Sequence, residues 1–176
     1  MDVTDATFEA EVIERSRREP VVVDFWADWC GPCRALTPVL EEKTAEKGVT
    51  LAKVDVDANT ELAQRYNISG IPAVKAFRGG NVVAEFVGAQ PPTRVEAFLE
   101  ELTKPAVAER TDDPDLRAGL ERNDYEAAFR LLLGRLAEDP ERKDDIRKLM
   151  VELFAELGPE HPLASTYRRK LAAAVY

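Results

Sequence analysis

The run from Val21 to Ala27 is β-branched and aromatic, broken only by Asp24. It ends just before Cys30-Gly31-Pro32-Cys33, which holds the only two cysteines among 176 residues. An apolar run of that length without solvent alternation predicts a central strand buried on both faces. Two cysteines three apart at the start of a following helix lie on one face, with Cα atoms within reach of a disulfide. A staple enclosing only Gly31 and Pro32 would stabilise little, because that stabilisation grows with loop length. Zinc wants about four ligands, whereas this chain has no third cysteine and one histidine, His161, far downstream. The residues alone leave three readings open, in this order: a redox-active dithiol, two inert buried thiols, or half of a zinc site.

Charge narrows the partners. The net charge is −9, shared as −6 up to Lys104 and −3 beyond it, so neither part suits the phosphates of a nucleic acid. The first residues, Met1-Asp2-Val3-Thr4-Asp5, hold neither a basic nor an apolar leader segment. No apolar stretch approaches the length needed to span a bilayer. A cytoplasmic location without membrane contact is expected, and a reducing compartment tolerates paired thiols when they cycle.

Along the chain, Thr4 or Asp5 can cap a first helix with Phe8, Val12 and Ile13 on one stripe. The strand at Val21, the helix opening at the dithiol, a second strand from Leu51 to Val56 and a short helix capped by Asn59 follow. That order predicts parallel strands joined by right-handed crossovers. Ala73 to Phe77 and Val82 to Val87, linked through Gly79-Gly80, read as an antiparallel hairpin. A helix from Thr93, with Val95, Phe98, Leu99 and Leu102 on one stripe, completes an α/β domain over 1–104: a mixed sheet with helices on both faces. Residues 105–114 are polar, hold two prolines and read as a linker. From 115 to 176 every apolar pattern is helical, with stripes through Leu116 and Leu120, Tyr125 to Leu136, Ile146 to Leu157 and Leu163 to Val175. Those stripes predict a small all-α domain.

Trp26-Ala27-Asp28-Trp29-Cys30-Gly31-Pro32-Cys33-Arg34, with Asp24 before it and Gly70-Ile71-Pro72-Ala73 and Gly88 after it, closely resembles the thioredoxin family over about residues 1–104. That family builds a strand before its first helix, for which only Met1 to Val3 are available here. Leu116 to Pro140, with Asn123-Asp124-Tyr125-Glu126-Ala127-Ala128, resembles a degenerate tetratricopeptide unit. Leu157-Gly158-Pro159 and Ser165 to Leu171 resemble the C-terminus of the bacterial chaperedoxins, which join a thioredoxin domain to a tetratricopeptide-like tail.

The resemblance implies a thioredoxin fold and a protein-disulfide reductase serving cell redox homeostasis, with Cys30–Cys33 as its redox-active disulfide. Cys30 is the expected nucleophile, because free N–H groups and the helix dipole favour a thiolate there, and Cys33 the resolving thiol. Asp24, charged within an apolar strand, reads either as a buried proton acceptor for Cys33 or as a strand-end charge paired with a lysine. In the family the matching acid is the acceptor, and the lysine tuning it corresponds to Lys53. The resemblance also implies a cis bond before Pro72 and an apolar docking surface of Trp29, Gly31, Pro32, Gly70, Ile71 and Gly88, where an extended substrate pairs by its backbone. Trp29 as a core residue is the competing reading. No bound cofactor or metal is implied. Electrons would come from a recycling partner like thioredoxin reductase, using NADPH. The expected partners are disulfide-containing or unfolded protein clients and, through the C-terminal helices, a chaperone. The second functional reading is a holdase whose tail binds unfolded clients while the dithiol protects their cysteines.

Overall fold

The computed structural model describes residues 1–175; Tyr176, the last residue of the expected tail, lies outside the described residues, and the side chain of Pro140 is likewise not described. The chain divides into two compact units, Met1–Lys104 and a second one beginning at Pro105.

The first unit is a four-stranded mixed sheet in the order β2-β1-β3-β4. The strands are β1 (Val21–Trp26), β2 (Thr50–Asp55), β3 (Ala73–Arg78) and β4 (Asn81–Val87). β1 runs parallel to β2 and antiparallel to β3. β3 and β4 form a hairpin through Gly79 and Gly80, whose φ values of 62° and 83° are the left-handed pair that a two-residue hairpin turn demands. Met1 to Val3 add a single parallel bridge, Asp2 opposite Lys53, at the edge of β2. The family's first strand is therefore reduced to three main-chain hydrogen bonds: Val3 N–H to the Lys53 carbonyl, Lys53 N–H to that of Met1, and the Met1 ammonium to that of Leu51.

Alternation along β1 splits the core. Val21, Val23 and Phe25 pack with Phe8, Val12 and Phe77 on one side, under the π-helical segment Glu9–Glu14 and α2 (Thr60–Arg65). Val22 packs with Leu36, Leu40, Val95 and Leu99 on the other, under α1 (Gly31–Lys47) and α3 (Pro92–Thr103). Period-two geometry therefore points Asp24, like Val22, toward the α1 layer.

The caps differ from the sequence reading. Asp5 does not cap the first helix; its carboxylate accepts the Leu62 N–H at 3.0 Å, inside α2. Asn59 makes no cap of its own, because its Oδ1 accepts the Asp5 N–H at 2.9 Å and its Nδ2 donates to the Asp55 carbonyl. Asp5 thus does for α2 the capping that Asn59 does not.

The second unit contains α4 (Val107–Arg110), α5 (Pro114–Glu121), α6 (Tyr125–Glu138), α7 (Lys143–Leu157) and α8 (Pro162–Val175). Residues 105–114 are thus not an unstructured linker: Val107 is buried in the helical core, and its N–H donates to Glu156 at 2.6 Å. Pro114 opens α5 at a position whose N–H is spare, with Asp113 capping, so this proline starts an element rather than interrupting one. Leu116, Phe129, Leu132, Ile146, Met150, Leu153 and Tyr167 fill the core, where the Phe129 ring lies 5.0 Å from Phe154 and 4.9 Å from Tyr167. His161 accepts the Leu163 N–H on Nδ1 and caps α8. Among the described residues, no helix is long and apolar enough to cross a membrane.

Candidate active site

Cys30 is the N-cap of α1, and its Sγ accepts the Cys33 N–H at 3.2 Å. The two sulfurs are joined at 2.07 Å, with Cα atoms 5.3 Å apart. Cys30 keeps 3% of its surface and Cys33 none, so of the two it is Cys30 that offers a path from solvent. The site lies at the C-terminal end of β1, where an apolar strand hands over to a helix N-terminus. Unsatisfied N–H groups and the helix dipole there favour negative charge on the first sulfur.

Beneath it, Asp24 is fully buried. Thr37 Oγ1 donates to its Oδ2 at 2.8 Å, while the buried Oδ1 meets no protein donor. Cys33 and Thr37 are four apart on α1 and share one face, so the hydrogen bond puts the carboxyl under the row that carries the inner cysteine. Burial pushes the Asp24 carboxyl up from its ordinary 3.8 to about 6, against the opposing pull of the Thr37 hydrogen bond and the Lys53 charge. Near neutrality such a carboxyl can take up and release a proton. The paired-lysine reading of Asp24 fails in its simple form. Lys53 lies opposite Asp24 in the β1–β2 register, yet its Nζ donates to Glu41 Oε1 at 2.9 Å. Its influence on Asp24 is through space.

The residues expected to form the docking surface converge at one end of the sheet. The register pairs Phe25 with Ala73 and Ala73 with Val87, so the loops carrying Trp29 to Pro32, Gly70 to Pro72 and Gly88 all leave the sheet there. The Ile71–Pro72 bond is cis, and the Gly88 N–H donates to the Pro72 carbonyl at 2.7 Å. Gly88 has φ 87°, a conformation that favours glycine. Gly31 and Pro32 are exposed, Gly70, Ile71 and Gly88 half-buried, and Pro72 buried, so Pro72 supports this surface from below. Trp29 is 67% exposed, which rules out the core reading, and its indole N–H donates to Asp57 at 2.7 Å.

Sequence reasoning missed Thr37, Glu41 and Asp57. For the first two the signal was available: Cys33, Thr37 and Glu41 are spaced by four on one helix face. Asp57 had none, since its partner lies 28 residues away.

Known proteins match both units. Residues 1–101 match the thioredoxin family model, and residues 99–176 match one for the tetratricopeptide repeat. Thioredoxin C-2 of Corynebacterium nephridii is 45% identical over 103 residues, which cover 57% of this chain and 94% of that protein. A thioredoxin of Streptomyces clavuligerus is 45% identical over 91 residues, 51% of this chain and 83% of the relative. A bifunctional thioredoxin reductase/thioredoxin of Mycobacterium leprae is 48% identical over 92 residues, 51% of this chain and 20% of that longer protein. A buried carboxyl beneath a helix-capping disulfide, a family model over more than half the chain and these relatives agree: the chain belongs to the thioredoxin family of disulfide oxidoreductases, with a tetratricopeptide-like helical region at its C-terminus.

Proposed function

We propose that this protein reduces disulfides in protein clients through a Cys30–Cys33 exchange cycle in the cytoplasm and thereby serves redox homeostasis. In the reduced protein the Cys30 thiolate attacks one sulfur of a client disulfide, forming a mixed disulfide and releasing the first client thiolate. The Cys33 thiol then gives its proton to Asp24 and attacks Cys30 Sγ. The Cys30–client bond breaks, and the client leaves with two reduced sulfurs while Cys30 and Cys33 are joined. Two electrons have moved from protein to client. A reductase drawing on NADPH returns them, and no bound cofactor is required for the exchange itself. Gly70, Ile71 and Gly88 offer backbone to an extended client, with Trp29, Gly31 and Pro32 as the apolar ground beside Cys30.

The observation that carries this reading is the disulfide at the α1 N-terminus, in which Cys30 has surface and Cys33 has none, above a buried Asp24. Insulin reduction with dithiothreitol tests it. Wild type accelerates the turbidity and Cys30→Ser does not, while Cys33→Ser accumulates clients covalently held on Cys30. Equal turbidity in wild type and Cys30→Ser, or an empty trap, overturns it.

The tetratricopeptide match over residues 99–176 favours a second, compatible reading, a chaperedoxin-like holdase that engages unfolded clients or a chaperone through its helices. Whole thioredoxins align almost end to end with the first unit, so a 1–104 fragment is a fair comparator. Stronger suppression of client aggregation by the full chain supports the reading, and equal suppression removes it.

A further inference from the structure

Two features face each other across the first unit. On α1, Cys33, Thr37 and Glu41 follow at intervals of four and form one longitudinal row. On the sheet, Asp24 of β1 and Lys53 of β2 are directly opposite in a parallel register, so their side chains leave the same face. The row meets the pair in two places: Thr37 Oγ1 donates to Asp24 at 2.8 Å, and Glu41 Oε1 accepts from Lys53 Nζ at 2.9 Å. The cation nearest to the buried carboxyl is thus bound to a different carboxylate, one turn farther along the helix.

We infer that Glu41 is a positioning residue for the disulfide exchange: by holding the Lys53 ammonium, it keeps Asp24 from acquiring an ion-pair partner and so preserves a carboxyl able to take the Cys33 proton. The inference rests on the reading of Asp24 as that acceptor.

The electrostatics run in one direction. A lysine free to approach Asp24 would stabilise the carboxylate and weaken it as a base, and Glu41 opposes this twice, by occupying the ammonium and by its own negative field. The charged groups around the carboxyl are Lys53 from β2 and Glu41 from α1, with Asp2 of the N-terminal bridge acting on Lys53. The titratable Cys33 is tied up in the disulfide. The β3 residue facing Asp24 in the register, Val74, carries no charge. The Glu41 hydrogen bond also pushes Lys53 up, which keeps it an ammonium. Glu41 is about half exposed and Lys53 a quarter, so this clamp is reached by solvent and salt while the carboxyl it governs is not. Thr37 holds the other end: its hydrogen bond fixes the carboxyl toward the Cys33 row, and Glu41 keeps the cation off it.

The oxidised full-length protein is the right sample, because its cysteines do not titrate. Carboxyl-carbon NMR of Asp24 should show the wild-type midpoint near 6 and a fall of about one pH unit in Glu41→Gln, with Glu41→Asp partly restoring it. In a Lys53→Met background the same Glu41→Gln change should produce a clearly smaller fall, since no ammonium remains to be released. The acid limb of the insulin-reduction pH profile should move down in Glu41→Gln alongside the NMR midpoint. An unmoved or raised midpoint overturns the inference, as does a fall of equal size with and without Lys53, which would mean that Glu41 acts by its own field alone. If the acid limb survives in Asp24→Asn, the proton-acceptor reading itself is overturned, and the inference with it.

Discussion

The two units bury their polar groups differently. In the second, among the described residues, the buried core side chains are apolar apart from Thr111 and the Tyr167 hydroxyl; of its ion pairs, Arg110 with Glu152 lies toward solvent and Arg135 with Asp113 is half-buried, each charge with its partner. The first unit buries a carboxyl, Asp24, at the centre of its sheet without a bonded cation. Burying an unpaired ionisable group is among the more costly features a core can hold, so where one persists beside a dithiol, function is the economical explanation. The helical unit has no such feature among the described residues. The comparison divides a unit that carries the disulfide chemistry from one built on an apolar core.

The largest expected effects test that division directly. Cys30→Ser should bring insulin reduction down to the rate of dithiothreitol alone, since the buried Cys33 cannot replace the attacking sulfur. Removing residues 105–176 should leave the rate unchanged, and a large loss on truncation would break the comparison. Next is Phe129→Ala, which deletes a buried ring that stacks on Tyr167 and packs against Phe154 and should cost the helical unit about 3–5 kcal/mol. Far-ultraviolet circular dichroism during denaturation reads that loss. Both tryptophans belong to the first unit, so separate cores predict a tryptophan fluorescence transition that stays in place, and one that moves in step would merge the units thermodynamically.

Asp24→Asn sharpens the contrast from the other side. The folded carboxyl titrates near 6 and the ordinary value is 3.8. Below 3.8 both folded and unfolded chains hold the proton, and Asp24 imposes no pH-dependent penalty. Between the two values the unfolded chain releases its proton first, so stability falls as pH rises, and above 6 the loss is complete. A gap of about two units corresponds to about 3 kcal/mol. The Asn variant should therefore be more stable than wild type at pH 8 by about that amount, with the advantage fading toward pH 4. Guanidinium titrations followed by tryptophan fluorescence at both pH values check it, and a pH-independent difference would contradict a buried titrating carboxyl.

The parts legible in sequence were those with local causes. The strand at Val21 to Trp26, the dithiol at a helix start, the glycine hairpin and the four main helices of the second unit each follow from periodicity or turn chemistry within a short window. Asp24 stood out because a charge inside an apolar run is anomalous. The illegible parts were pairings over long separations. Lys53 could be placed opposite Asp24, but its attachment to Glu41 depends on where α1 crosses the sheet. Val107, in a stretch that composition marks as linker, is buried because Pro105 and Pro114 bracket a helical turn that packs on the later helices.

The smallest effect concerns the same kind of long-range pairing. The Asp5 carboxylate accepts the Leu62 N–H, and the Asp5 N–H is held by Asn59, so one residue before the first helix completes the start of α2, 57 positions away. Asp5→Ala should lower the stability of the first unit by about 1 kcal/mol, the usual loss for a helix cap. Asn59→Ala should cost a similar amount, and the double variant less than the sum, because the two residues complete one network. Strict additivity in fluorescence-monitored denaturation would mean two independent caps. Either result leaves the helical unit untouched, since neither residue nor any of their bonded partners lies beyond Lys104.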